Sequence, residues 1–106
     1  MAERIYTDDF QEKVLNSSIP SLVDFYSDSC VACKKLSPTL CEVEEDYEGR
    51  VNVFKVNTGY DVSLVEDYGI KANPTLILFK DGKVLDKQVG ARDYDEITDW
   101  IDSLIF

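Results

Sequence analysis

The sequence predicts an α/β fold in which helices pack on a mixed β-sheet. Three observations support this expectation: short β-branched and aromatic runs typical of strands, amphipathic helical patterns between them, and a length of 106 residues that suits one domain. The signals follow one another in the order β-α-β-α-β-α-β-β-α. We therefore expect a single domain spanning residues 1–106, with about five strands flanked by four helices.

The predicted strands are short and are bounded by turn residues. Two of the central ones are mostly apolar on both faces, which suits the covered middle of a sheet. The last is reached through a hairpin at Asp81-Gly82 and should lie at a sheet edge. In order, the strands are a weak one near Ile5, "LVDFY" (22–26), "VNVFKV" (51–56), "TLILFK" (75–80) and the edge strand near 83–89.

Helical patterns occupy the segments between the strands. Asp8 with Gln11 resembles the capping start of a first helix, and Gly69 ends a short helix over roughly 61–68. The second helix has an apolar stripe at helical spacing, and the last begins at Asp93. The stripe residues are Leu36, Leu40, Val43 and Tyr47 in the second helix and Ile97, Trp100, Ile101 and Leu104 in the last.

The charge of the chain disfavours two classes of partner. A net charge of -10 repels a nucleic-acid backbone and anionic lipid headgroups, and the 11 Lys and Arg residues form no dense run. There is no stretch of 18 apolar residues, and "MAERIYTDDF" lacks the basic and apolar segments of a signal peptide. We therefore expect a cytoplasmic protein that binds neither nucleic acid nor membranes.

Two of the three cysteines, Cys30 and Cys33, lie where the strand "LVDFY" gives way to a helix. Such a pair could be a reactive dithiol, half of a metal site, or inert. A zinc site is disfavoured, because the chain has no histidine and offers only Cys41 and carboxylates as further ligands. A reactive pair is favoured: the helix N-terminus should hold the pKa of the Cys30 thiol below the ordinary value of about 8.5. Cys33 should be the more buried, and Cys41 should lie at the flank of the helix.

Asp24 is a carboxylic acid inside the apolar run "LVDFY". If it faces the interior, burial should raise its pKa, because desolvation disfavours the charged form. The pattern alone leaves an outward-facing Asp24 equally open.

Several motifs together resemble the thioredoxin family over essentially the whole chain. They are "VDF" at 23–25, the Cys30/Cys33 pair, Pro38, "KVN" at 55–57, "YGI" at 68–70, "NPTLILFKDG" at 73–82 and Gly90. The resemblance implies the thioredoxin fold and a protein-disulfide reductase that works by thiol-disulfide exchange.

The resemblance also implies roles for individual residues. Cys30 would attack a substrate disulfide and Cys33 would resolve the mixed disulfide. Asp24 would be a buried acid that assists deprotonation of Cys33 through water, and Lys55 would approach it. No cofactor or metal is implied beyond the cysteine pair. The implied partners are disulfide-containing proteins and a thioredoxin reductase of open type, and we expect a monomer.

The substrate surface implied by the family surrounds the cysteines. The Asn73-Pro74 bond should be cis, and the backbone before Pro74 should pair with bound substrate. The residues expected at this surface are Ser29, Val31, Ala32, Asn73, Pro74, Gly90 and Ala91.

The active-site segment departs from the usual Trp-Cys-Gly-Pro-Cys, since Ser29 precedes the first cysteine and Val31-Ala32 separate the pair. The missing proline suggests a somewhat more oxidising pair that is still used as a reductant. Two alternatives follow. The chain could be a specialised dithiol donor to one dedicated oxidoreductase, or a noncatalytic module whose acidic surface binds a partner. Trp100, the only indole, should lie away from the disulfide.

Overall fold

The computed structural model describes residues 2–106, and its elements follow the predicted order. The strands are β1 (Glu3–Arg4), β2 (Ser21–Tyr26), β3 (Asn52–Asn57), β4 (Thr75–Lys80) and β5 (Lys83–Val89). The helices are α1 (Thr7–Phe10, continued by a π-helical stretch over Gln11–Leu15), α2 (Val31–Asp46), α3 (Val62–Tyr68) and α4 (Tyr94–Ile105).

The five strands of residues 2–106 form one mixed sheet in the order β1-β3-β2-β4-β5. β3 runs parallel to both of its neighbours, whereas β4 is antiparallel to β2 and to β5. The register of β2 and β3 pairs Asp24 with Lys55. Because parallel strands end at the same edge of a sheet, the carboxyl ends of β2 and β3 both lie at the edge where α2 begins.

Both faces of the sheet are covered, which explains why the central strands are apolar throughout. Successive strand residues point to opposite faces, so Leu22 and Asp24 face one side while Val23 and Phe25 face the other. The first side packs against α2 and α4, and its buried cluster includes Leu22, Leu36, Leu40, Val43, Tyr47, Val53, Leu76, Leu78, Ile97, Trp100 and Ile101. The second side packs against α1 and α3, with Phe10, Val14, Val23, Phe25, Phe54, Val56, Leu64, Ile77 and Phe79.

The predicted helical stripes are confirmed apart from one residue. The predicted stripe of the second helix is buried throughout, with Tyr47 as the C-cap residue after α2, and the first three stripe residues of α4 are buried too. Leu104 was expected to join them, but it lies in the last turn of α4 with 41% of its surface exposed. Gly69 ends α3 in the left-handed conformation with φ 63°, as predicted.

The predicted start of the first helix is wrong. Asp8 with Gln11 was expected to form the cap, but α1 begins at Thr7. Two sets of contacts hold this start. The Tyr6 backbone N–H donates to Asp9 Oδ2 over 3.3 Å, and the backbone N–H and the hydroxyl of Thr7 both donate to Oδ1 of buried Asp61, each over 2.9 Å. A local cap two residues before the predicted one and a distant carboxylate together satisfy the first turn.

The hairpin between β4 and β5 and the edge position of β5 are both confirmed. Asp81 and Gly82 have φ values of 54° and 76°, as a two-residue turn between twisted strands requires. Almost every residue of β5 is exposed. None of the helices within residues 2–106 combines the length and the apolar character that crossing a membrane requires.

Candidate active site

The cysteine pair lies at the first turn of α2. Cys30 is the N-cap residue with extended backbone (φ -84°, ψ 112°), and Cys33 is the third residue of the helix. The Cys30 Sγ accepts a hydrogen bond from the Cys33 backbone N–H at 3.1 Å. The two side chains form a disulfide, and their Cα atoms are 5.2 Å apart. One sulfur thus occupies the position where a helix N-terminus stabilises negative charge.

The two sulfurs differ in their access to solvent. Cys33 is only 6% exposed, because it lies on the same face of α2 as Leu36 and Leu40. Cys30 is half-buried, and Val31 beside it is 66% exposed. The prediction that Cys33 is the more buried cysteine is confirmed, and Cys30 is the more exposed of the two.

Asp24 faces the interior, which decides between the two orientations that the sequence left open. It is 4% exposed and points toward the α2 side of the sheet, on the same face as Leu22. Its Oδ1 is buried and has no hydrogen-bond partner within residues 2–106. Burial raises the pKa of Asp24 from the ordinary 3.8 to about 7, and the positive charge of Lys55 opposes part of that rise.

A cavity of about 170 Å³ brings the predicted chemical residues together beneath the disulfide. Asp24, Cys33 and Lys55 all line it. Lys55 is half-buried, and its Nζ is 5.4 Å from the centre of the Tyr26 ring. A buried sulfur, a carboxyl group with a pKa near neutrality and an amine therefore share one small space that opens to the surface.

A backbone hydrogen bond links the loop before β4 to the loop after β5, both of which carry residues of the predicted substrate surface. The Asn73-Pro74 peptide bond is cis, as the resemblance implied. The Gly90 backbone N–H donates to the Pro74 carbonyl over 2.8 Å, which places Gly90 and Ala91 beside the cis-proline. Asn73 and Ala91 are exposed, whereas Pro74 is buried.

The remaining residues of the predicted surface flank the disulfide. Ser29 and Val31 are exposed and Ala32 is half-buried. Cys41 is free and half-buried, in agreement with its predicted place at the flank of α2.

Sequence reasoning did not identify the other polar groups of the cavity. Its remaining lining residues are Tyr26, Ser27, Asp28, Lys34 and Ser37. Two spacings could have indicated two of these residues: Tyr26 lies two residues after Asp24 in a strand, and Ser37 lies one helical turn after Cys33.

Comparison with known proteins agrees with this geometry. The sequence matches the family profile described as Thioredoxin over residues 2–103, which is nearly the whole chain. The chain belongs to the thioredoxin family. It is 35% identical to the thioredoxin of Rickettsia felis over 105 residues, covering 99% of this chain and 100% of that protein. It is 45% identical to thioredoxin 1 of Synechococcus elongatus over 82 residues, or 77% of each chain.

Thioredoxin-family membership and the disulfide-forming pair together establish the activity. The protein is a protein-disulfide oxidoreductase that carries electrons as a dithiol and acts by thiol-disulfide exchange. The family uses a redox-active disulfide, and membership implies exchange with disulfide-containing substrates and with a thioredoxin reductase.

Proposed function

We propose that Cys30 is the nucleophile and Cys33 the resolving thiol in the reduction of protein disulfides. The Cys30 thiolate attacks one sulfur of the substrate, and the other substrate sulfur leaves as a thiolate. The Cys33 thiolate then attacks Cys30 Sγ, which closes the Cys30–Cys33 disulfide and releases the second substrate sulfur. The substrate gains two electrons and the cysteine pair loses two.

One observation carries this assignment: Cys30 Sγ caps α2 while Cys33 is buried behind it. The N-terminal N–H groups of a helix stabilise the attacking thiolate. The buried partner reacts only with a sulfur brought to it on Cys30, so the second attack is intramolecular and fast.

Asp24 is proposed to accept the Cys33 proton, since its burial keeps the carboxyl pKa near 7. Lys55 shares the cavity and favours the charged carboxylate. Water is proposed to link the carboxylate and the thiol, because both line the same open space.

The substrate is proposed to dock around Cys30 on residues that are partly exposed, with buried Pro74 beneath them. The residues of this docking surface are Ser29, Val31, Ala32, Asn73, Pro74, Gly90 and Ala91. The loop that precedes Pro74 offers backbone groups for pairing with a substrate strand.

Further parts of the proposal concern the setting of this reaction. The electron pair moves between sulfurs, so neither a cofactor nor a metal is required. Residues 1–106 are proposed to act as one domain and as a monomer, in the cytoplasm, where a reductase keeps the pair reduced. The type of that reductase stays open, because Ser29 and Val31 alter the surface that the reductase would contact.

A trapping experiment distinguishes the nucleophilic cysteine from the resolving cysteine. The reduced Cys33→Ser variant should accumulate a mixed disulfide between Cys30 and insulin, visible as a covalent adduct that dithiothreitol removes. The matched Cys30→Ser variant should form no such adduct. An adduct that forms equally well through Cys33 in the Cys30→Ser variant would overturn the assignment.

A second candidate role, donation to one dedicated oxidoreductase, is favoured by the exposed Val31 and Ser29. Turnover of insulin with dithiothreitol as electron source separates the two. General reductase activity predicts sustained insulin reduction that depends on Cys30, whereas a dedicated donor would form the internal disulfide without sustaining insulin turnover.

A further inference from the structure

The cavity beneath the disulfide leads from the buried reaction centre to the protein surface. Asp24 and Cys33 are buried at its inner end, whereas Lys34 and Ser37 are exposed. Its volume of about 170 Å³ has room for several water molecules. A proton that leaves Cys33 therefore has a polar path to Asp24 and to solvent.

Asp24 and Ser37 both have hydrogen-bonding capacity in this cavity that the protein does not use. Oδ1 of Asp24 is buried without a partner, and no group within residues 2–106 bonds to the Ser37 hydroxyl. A buried water is stable when about two to four polar groups bind it. The Asp24 carboxylate on β2 and the Cys33 sulfur and Ser37 hydroxyl on α2 all line this cavity and supply such a set.

Helix geometry places Ser37 where it can serve this purpose. It lies four residues after Cys33, so the two side chains lie on the same face of α2 one turn apart. Thr39 lies two residues further on, nearly opposite on the helix, and does not line the cavity. Ser37 is thus the hydroxyl of α2 that faces the reaction centre.

We propose that Ser37 is a positioning residue whose hydroxyl holds the cavity water that carries the Cys33 proton to Asp24. The Cys33 S–H bond breaks, its proton passes through that water to the Asp24 carboxylate, and the sulfur electron pair forms the bond to Cys30. The bond between Cys30 and the substrate sulfur breaks, and the substrate sulfur leaves with its electron pair. Asp24 later returns its proton to solvent. A serine hydroxyl can both accept and donate a hydrogen bond, so Ser37 holds the water without losing its own proton.

This inference rests on the proposed role of Asp24, and its test isolates the step in which that proton moves. The reduced protein, in a Cys41→Ser background, is mixed in a stopped-flow instrument with excess of an aromatic disulfide whose leaving thiolate is coloured. The first phase reports attack by Cys30 and depends on reagent concentration. The second reports closure by Cys33 and does not.

Ser37→Ala should slow the second phase about two- to tenfold, the effect of losing one hydrogen bond, and leave the first phase unchanged. The rise of the second phase with pH should also move to higher pH, because a carboxylate that loses a bound water becomes easier to protonate. Ser37→Thr keeps a hydroxyl and should retain the wild-type rate. Thr39→Val, on the far side of α2, should change neither phase.

The charges that face Asp24 are unchanged in these variants. Lys55 on β3, Lys34 on α2 and Asp28 after β2 all line the cavity with it, as does Tyr26 on its own strand. A shift of the pH profile in Ser37→Ala is therefore due to the hydroxyl and its water. Ser37→Ala should fold normally, since alanine is favourable at an exposed helical position.

A second phase in Ser37→Ala with the wild-type rate and pH profile would overturn the inference, as would equal slowing in Thr39→Val. Asp24→Asn separates this failure from that of the proposed function. If Asp24→Asn slows closure while Ser37→Ala does not, only the role of Ser37 is wrong. If Asp24→Asn leaves closure unchanged, the proton acceptor itself is wrong, and the role of Ser37 with it.

Discussion

Asp24 and Lys55 are register partners on neighbouring parallel strands, and both line the cavity beneath Cys33. Even so, Oδ1 of Asp24 is buried without a partner within residues 2–106. Desolvation therefore outweighs the attraction of the amine, and the pKa of Asp24 rises to about 7. A carboxyl group that titrates near neutrality is suited to take up and release a proton in each cycle.

The raised pKa of Asp24 predicts how stability depends on pH. Between the ordinary pKa of 3.8 and the folded-state value of about 7, the folded state binds more protons than the unfolded state. Stability from this group is thus complete at low pH and is lost as pH rises through 7. Asp24→Asn removes the cost of the buried charge, so it should stabilise the oxidised protein at pH 8 by roughly 2–4 kcal/mol and have a smaller effect at pH 5.

Guanidinium chloride unfolding of both proteins at pH 5 and pH 8 measures this effect. Other acidic groups also change stability with pH, but they are common to both proteins, so the difference between the two isolates Asp24. The same pH dependence in wild type and variant would show that Asp24 is not desolvated as described.

The charge of Lys55 lowers the pKa of Asp24, so replacing Lys55 by a neutral residue should raise that pKa. Lys55→Gln should raise the Asp24 pKa above the wild-type value of about 7, because the carboxylate loses the positive charge that opposes the effect of burial. The carbon-13 shift of the Asp24 carboxyl group, followed against pH, reports the change. Lys35→Gln removes an exposed lysine that does not line the cavity and serves as the control. A lower pKa in Lys55→Gln would contradict the assigned interaction.

The place of Ala32 in the first turn of α2 predicts the effect of restoring the usual family proline. Ala32 is the second residue of α2, where the first-turn N–H groups have no intrahelical partner and proline is tolerated. Proline restricts the dithiol form and so favours closure of the disulfide. A stabilisation of about 0.4–1 kcal/mol corresponds to a potential about 10–20 mV more reducing in Ala32→Pro.

Redox titration against glutathione measures this difference. Val31→Ala changes the exposed neighbour without restricting the backbone and should leave the potential unchanged. A potential for Ala32→Pro equal to or more oxidising than that of the wild type would refute the view that the missing proline makes this pair more oxidising.

Trp100 predicts a weak optical response to reduction. Its ring packs in the cluster between α2, α4 and the sheet, and its Nε1–H donates to Asp86 Oδ2 over 2.8 Å. The disulfide cysteines are not members of that cluster. Emission should therefore change little on adding dithiothreitol, whereas Ser29→Trp, which places an indole beside Cys30, should respond strongly. A severalfold change in the wild-type emission would place Trp100 against the disulfide.

Most of the fold could be predicted because its elements have strong local signals. The apolar strands, the α2 stripe and the Asp81-Gly82 turn each follow from residue type and spacing alone. The start of α1 was predicted wrongly, because part of what holds it is a hydrogen bond between Thr7 and distant Asp61.

Less of the active site than of the fold could be predicted from the sequence. The spacing of the cysteines and a helix pattern place Cys30 at an N-terminus, but strand alternation cannot decide where Asp24 points when both faces of a sheet are covered. The cavity is a gap between β2, β3 and α2, so no single segment encodes it. Ser37 was missed for this reason, since its spacing from Cys33 indicates a shared face and not a shared space.

A single-turnover mass measurement tests the central claim most directly. The reduced protein is mixed without oxygen with an equimolar protein disulfide such as insulin, quenched in acid, alkylated and digested. The account predicts that the protein loses two hydrogens as a Cys30–Cys33 disulfide, that insulin gains two, and that Cys41 is still alkylated. No transfer of hydrogens to insulin, or transfer that persists in Cys30→Ser and requires Cys41, would contradict it.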